Sequence, residues 1–204
     1  MPSLVLNENQ ITKFFNKALK SKKSLVLEVG FGMGDNLEYM LSNDKTSLFI
    51  GCEPYLTGLA NFISKLKKKD YNRVKIYDND VRLLLSKIPH NSFSKIIILF
   101  PDPWPKRRHR KRRLFNIDNI DLFLNVLSKE GEIYFGTDVD NYFQEVRSIF
   151  LSKIKNYIII NENNHFTLPD LICKTKYAKK SINKGISPKY LILKKKKIYC
   201  KNFL

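Results

Sequence analysis

Residues Leu25–Ser42 read "LVLEVGFGMGDNLEYMLS". The first five residues are branched and apolar apart from Glu28, which predicts a short strand buried on both faces. Glycine then recurs at every second position, Gly30, Gly32 and Gly34, and breaks the strand with a turn. A helical pattern starts at about Asp35. Strand, glycine turn and helix together open a βαβ unit, and the chain on either side repeats the alternation.

"SLFIGCEP" (47–54) predicts a second strand, ended by Glu53-Pro54, with a helix from Leu56 to about Lys69. "RVKIYDND" (73–80) is a third strand, followed by a short helix from Val81 to Ser86. "KIIILF" (95–100) is the fourth. "NIDNIDLFLNVLSK" (116–129) is a helix, "GEIYFGTD" (131–138) a fifth strand and "NYFQEVRSIF" (141–150) another helix. Upstream, "NENQITKFFNKALK" (7–20) spaces Ile11, Phe14, Phe15 and Leu19 helically, so a helix is expected from about Glu8 to Lys20. Downstream, "NYIII" and "KYLILKKKKIY" look like strands around a polar segment, 161–188, that holds no clear helix. They are expected to pair antiparallel at one sheet edge. The alternation implies right-handed crossovers and a mostly parallel central sheet with helices on both faces, an α/β fold. A single domain is expected over 1–204, with 1–22 as an N-terminal helix or extension.

The chain has 204 residues, 37 Lys plus Arg against 19 Asp plus Glu, and a formal net charge of +18. Part of the excess reflects a Lys-rich composition. The clustered part favours a polyanionic partner, nucleic acid ahead of an anionic membrane surface. Cys52, Cys173 and Cys200 have no metal-ligand spacing and suit the reduced thiols of a cytoplasmic protein. No cationic start precedes an apolar leader, and no apolar run nears the ~18 residues of a membrane span.

In parallel sheets of this kind, ligands bind outside the carboxyl ends of the strands. Glu28 with Gly30 stands at the first end and Glu53 at the second. Asp78-Asn79-Asp80 stands at the third, Asp102 at the fourth and Thr137-Asp138 at the fifth. A carboxylate at Glu53 suits the two ribose hydroxyls of an adenosine, and an Asn or Asp at the third strand end suits an adenine amino group. The glycine spacing departs from G-x-G-x-x-G, and Asp35 would repel a pyrophosphate. A ligand without phosphate and with a positive centre fits better, and S-adenosylmethionine is one. The fourth strand continues as "FPDPWPKRRHRKRRL" (100–114). Three prolines fix φ around Asp102, and the cations from Lys106 to Arg113 are interrupted only by His109.

"LEVGFGMGDNL", "GCEP", "FPDPWPKRRHRKRRL", "GTDVDNYF" and "KTKY" together resemble bacterial tRNA (guanine-N7)-methyltransferases, over roughly Leu25 to Tyr177. The resemblance implies a Rossmann-like class I methyltransferase fold. It also implies S-adenosyl-L-methionine as donor, S-adenosyl-L-homocysteine as product, no metal, and tRNA as partner. Its target would be N7 of the variable-loop guanine, position 46 in standard tRNA numbering. By matching motifs, donor contacts fall on Glu28, Gly30, Glu53, Asn79 and Asp102, with Asp102 also at the reaction centre. Substrate contacts fall on Lys106, Asp138, Thr175, Lys176, Tyr177 and Ala178. Two positions depart from the family pattern: Asn79 where Asp is common, and Ala178 where T-x-[FY]-E ends in Glu. A non-catalytic RNA-binding protein on this scaffold and a nicotinamide-dependent oxidoreductase stay as alternatives, and monomer and homodimer are both open.

Overall fold

The computed structural model describes residues 4–152, the backbone of 157–164, and 170–195. A seven-stranded sheet runs through it in the order β3-β2-β1-β4-β5-β7-β6. These are β1 (Leu25–Val29), β2 (Leu48–Cys52), β3 (Val74–Tyr77), β4 (Phe93–Leu99), β5 (Leu127–Thr137), β6 (Tyr157–Asn164) and β7 (Lys189–Lys195). The first five are mutually parallel. β7 runs antiparallel to β5, and β6 antiparallel to β7. The two tail runs thus pair with each other at one edge, as expected.

β1 lies between β2 and β4 and is buried along its whole length. Alternate residues point to opposite faces. Leu25, Leu27 and Val29 join one core with Phe15, Ile96, Ile98, Phe115 and Phe135, while Val26 joins the other with Leu37, Phe49, Phe62 and Ile97. The helices are α1 (Glu8–Lys20), α2 (Asp35–Asn43), α3 (Leu56–Lys65), α4 (Val81–Leu85), α5 (Ile120–Val126), α6 (Asp140–Ser152) and α7 (Lys176–Asn183). α1 begins where the sequence places it because Asn7 and Gln10 form a capping box: each side chain accepts from the other's backbone N–H, at 3.1 and 3.2 Å.

Three helices differ from expectation, and two strands are longer than expected, β5 starting at Leu127 rather than Gly131 and β6 running on to Asn164. α3 stops at Lys65, since Lys67, Lys68 and Lys69 bring nothing apolar to the core; a 3-10 turn follows at Lys68–Asp70. α5 starts only at Ile120, because the Asn116 side chain accepts from the backbones of Asp118 and Asn119 and folds 116–119 into a turn. α7 forms within the polar segment that showed no helix. It is only eight residues long and buries only Ala178 and Ser181, so its amphipathic pattern is too short to read; Thr175 starts it by accepting from Ala178 N–H at 3.2 Å. Among the described residues no helix is long and apolar enough to cross a membrane.

The chain runs β1, β2, β3 toward one edge and then crosses back to β4 beside β1. The order reverses between β1 and β4, and their carboxyl ends flank a crevice. That is where an open α/β sheet offers a ligand site.

Candidate active site

The crevice has two lobes. One, of about 730 Å³, runs along the rim from Glu53 and Asn79 to Asp102 and Trp104. The other, of about 280 Å³, lies between Glu28, the glycine turn and the first turn of α7. Gly30, Gly32, Phe100 and Tyr177 line both. The larger lobe falls within the size range of small-ligand pockets.

The glycine turn is built by backbone conformation. Gly30, Gly32 and Gly34 have φ of +68°, +54° and +83°, which side-chain-bearing residues rarely adopt. A Cβ on Gly30 or Gly32 would meet no atom within 4 Å, so their bare backbone edges face open space. The turn is held from outside by Glu53, whose Oε2 accepts from Gly32 N–H at 2.7 Å and whose Oε1 accepts from Tyr55 N–H at 2.8 Å. It is held from behind by α3. A Cβ on Gly58 would lie 2.3 Å from the Gly32 carbonyl oxygen, so only glycine lets the helix pack this closely. Sequence reading passed over Gly58, because nothing in "LTGLANF" distinguishes a packing glycine from a weak helix position.

Glu28 is almost fully buried on the α2 face of the sheet. Burial pushes its carboxyl up to about 8. The nearby Asn36 amide opposes that rise, while the charges of Asp35 and Glu53 add to it. Neither Glu28 Oε2 nor Asn36 Nδ2 makes a hydrogen bond of good geometry among the described residues. Asn36 Oδ1 instead accepts from Cys173 N–H at 2.9 Å and so fixes the segment leading into α7. Asn79 is exposed at the end of β3 and lines the larger lobe. Asp80 beside it caps α4, accepting from Arg82 N–H at 2.9 Å, and pairs with the Arg82 guanidinium; that hydrogen-bonded cation lowers the Asp80 pKa. The neighbouring acid is therefore committed to the fold.

Asp102 is exposed and lines the larger lobe. The loop that carries it is stiffer than its prolines alone imply. Phe100 and Trp104, on either side, have φ of +50° and +41°, conformations that cost side-chain-bearing residues about 1–3 kcal/mol each. Phe100 is tied to β5 through its N–H to the Gly136 carbonyl at 2.7 Å. Trp104 forms a wall of the lobe, with the Arg112 guanidinium 5.0 Å from its ring centroid and His109 edge-on at 6.0 Å.

The cationic run forms a 3-10 helix, Arg107–Arg112, with Lys106, Arg107, Arg108, Lys111 and Arg112 exposed. Arg113 departs from the expectation of an unbroken phosphate-gripping block, since it is 0 % exposed. Its Nε donates to the Pro103 carbonyl at 2.8 Å. Its Nη1 and Nη2 donate to Glu145 and Asn141 of α6, each at 2.5 Å.

Thr175, Lys176 and Tyr177 line the smaller lobe, and Tyr177 stacks over Phe100 at 6.3 Å between centroids. Ala178 is buried beneath the same turn. Asp138 lines neither lobe: its Oδ2 accepts from the Ser181 hydroxyl, which ties β5 to α7. Of the lysine run 194–197, Lys194 pairs with Glu132, and Lys195 donates to the carbonyls of Leu124 and Leu127. Lys196, Lys197, His165 and Cys200 lie outside the described residues. Among the described residues no group of three or more His, Cys, Asp or Glu is arranged to hold a metal.

A family model described as "Putative methyltransferase" matches residues 22–190. The chain is 38 % identical over 170 residues to the tRNA (guanine-N(7)-)-methyltransferase of Wolbachia pipientis, covering 81 % of this chain and 72 % of that protein. It is 31 % identical over 204 residues to the protein of the same name from Bartonella quintana, covering 96 % and 86 %. A "Bifunctional methyltransferase" of Rickettsia conorii is 34 % identical over 93 % of this chain, but the chain spans only 36 % of its length. Solved structures share the fold. An antibiotic-related methyltransferase has a TM-score of 0.57 at 18 % identity, covering 93 % of this chain and 94 % of that one. The 16S rRNA (adenine(1408)-N(1))-methyltransferase of Catenulisporales acidiphilia, with cosubstrate SAM, has 0.61 at 11 %, covering 94 % and 93 %. A glycine-turned crevice at the β1/β4 reversal, "FPDPWPKRRHRKRRL" beside it, and relatives matched along most of their length lead to one assignment: the chain belongs to the methyltransferase family that includes the tRNA (guanine-N(7)-)-methyltransferases.

Proposed function

We propose that this chain transfers a methyl group from S-adenosyl-L-methionine to N7 of the variable-loop guanine, position 46, of tRNA. The observation that carries the reading is the exposed Asp102 on its braced loop. It stands at one end of a ligand-sized crevice and at the start of a cationic surface.

The residues present fit the donor. Among the described residues Glu28 Oε2 is a buried acceptor with no hydrogen bond of good geometry, suited to an ammonium group, and the bare edges of Gly30 and Gly32 leave room for a ligand against the backbone. Glu53 would hold the ribose hydroxyls with the lone pairs left after it accepts from Gly32 and Tyr55. Asn79 would meet the adenine. When bound, the donor supplies an activated methyl on a sulfonium centre.

Guanine N7 already presents a lone pair, so no proton must leave before attack. The purine gains positive charge as the methyl arrives, and a carboxylate held next to it stabilises that charge. Asp102 takes this role and accepts from the base's N1–H or amino group, which orients N7. Its braced loop holds the acid in place before the substrate arrives. Lys106, Arg107 and Arg108 grip phosphates and position the RNA without identifying guanine. Thr175 and Lys176 would contact the substrate from the smaller lobe, and Tyr177 from the junction with the lobe that Asp102 lines. Ala178, beneath them, offers no carboxylate to the base, and Asp138 acts through its bond to Ser181 by holding α7.

Incubation of the purified chain with labelled donor and a tRNA mixture, followed by nucleoside mapping, tests the reading. Label in 7-methylguanosine at position 46 is the expected result. Absence of label, or label in another nucleoside, would overturn it.

A further inference from the structure

We infer that Arg113, the last cation of a run that reads as an RNA-gripping block, is instead a buried positioning residue that sets the geometry of the Asp102 loop. The inference rests on the proposed function for its catalytic consequence, though not for its geometry.

Arg113 is 0 % exposed, so its guanidinium cannot reach a phosphate on the surface. A buried cation is tolerated only when its donors are used and its charge is met. Here all three nitrogens are engaged. Nε donates to the Pro103 carbonyl at 2.8 Å, Nη1 to Glu145 Oε2 and Nη2 to Asn141 Oδ1, each at 2.5 Å. The plane of the group lies over the Tyr142 ring, 4.5 Å from its centroid. Tyr142 is itself fixed, since its Oη accepts from Phe115 N–H at 3.0 Å. The result is a strut from α6 to the Pro103–Trp104 peptide, one residue beyond Asp102. The loop needs one. Phe100 and Trp104 hold left-handed backbone conformations, which persist only where the surroundings over-determine them. Pro103 has no N–H, so at that residue only the carbonyl can take a backbone hydrogen bond, and Arg113 uses it. The planar fork of arginine satisfies the three acceptors at once, and a lysine ammonium cannot reproduce it.

Arg113→Lys and Asn141→Ala test the strut. Asn141 is exposed on α6, and its loss removes one acceptor without touching the core. Single-turnover kcat and KM for tRNA, the salt dependence of tRNA binding, and the emission of Trp104 are measured together. Trp104 is the only tryptophan in the chain and adjoins Pro103, so its emission reports the loop directly. We expect kcat to fall about 10- to 100-fold in Arg113→Lys and about 3- to 10-fold in Asn141→Ala, the scale of an ångström-level misplacement. KM and the salt slope should hold, and the native Trp104 emission should shift in both. A change in fold stability alone would not move the emission of the folded protein. kcat within twofold of wild type, or a salt slope reduced by about one with kcat kept, would overturn the inference in favour of phosphate contact. If Arg113→Lys does not fold, Asn141→Ala decides by the same readouts. A wild-type chain inactive on tRNA sinks the proposed function instead, and Trp104 emission still decides whether Arg113 holds the loop.

Discussion

Replacing Glu28 by glutamine should make the ligand-free protein more stable while weakening the site. The Glu28 carboxyl is pushed from 4.5 up to about 8, chiefly by burial. Between those values the folded chain keeps a proton that the unfolded chain has released. The stability contributed by this group is therefore intact below about pH 4.5 and lost as pH rises through about 8. At about 1.4 kcal/mol per pH unit, the interval sets a ceiling of about 5 kcal/mol. Glutamine copies the shape of the protonated acid at every pH and carries no such cost.

Chemical denaturation of both proteins across pH measures the difference. The variant should lie within about 1 kcal/mol of wild type near pH 5 and gain up to about 3–5 kcal/mol near pH 8.5, with water entering the crevice trimming the upper figure. Binding of S-adenosylmethionine should weaken at least about tenfold in the same variant, because an amide cannot pair with an ammonium as a carboxylate does. Stability gained at a site that loses binding is the usual trade-off of a strained functional position. A stability difference that stays flat from about pH 5 to 8.5 would refute the reasoning, since Glu28 would then be ionised without penalty.

Asp102→Asn should lower the single-turnover rate at saturating tRNA about 100-fold with little change in thermal stability, because Asp102 is exposed and the fold does not lean on it; a near-wild-type rate excludes the electrostatic role. Affinity for tRNA should fall steeply with salt, and Arg107→Ala should reduce the slope by about one; a flat profile in the wild type excludes a phosphate grip. Gly58→Ala should cost about 1–3 kcal/mol in denaturant titrations and loosen donor binding as well, because the new Cβ would stand 2.3 Å from the Gly32 carbonyl; unchanged donor affinity would mean that the glycine turn does not depend on α3.

All seven strands and most helices were legible because their signals are local. "LVLEV" must be buried on both faces, a glycine turn must interrupt a strand, and Ile11, Phe14, Phe15 and Leu19 repeat at helical spacing. The carboxyl ends of those strands put Glu28, Glu53, Asp78-Asn79-Asp80 and Asp102 along one rim of the sheet, and only the family resemblance singled out Asn79 within its group. α7 was illegible for the complementary reason: its helix rests on a Thr175 cap and on Ala178 and Ser181 against the core, and eight residues, half of them Lys or Asn, are too short a run to read as a helix.

Tertiary structure alone decided how chemically similar residues divide their work. Asp80 and Asn79 are neighbours that both line the larger lobe, yet Asp80 also caps α4 and pairs with Arg82 while Asn79 stands exposed beside it. Arg112 and Arg113 are adjacent cations, yet one lies over Trp104 at the surface and the other is sealed beneath Asp102. Composition and spacing determine that charge, glycine and strand ends occur together. Which charge faces water and which is enclosed depends on partners far along the chain, such as Asn141 and Glu145 for Arg113, and only folding brings those within bonding distance.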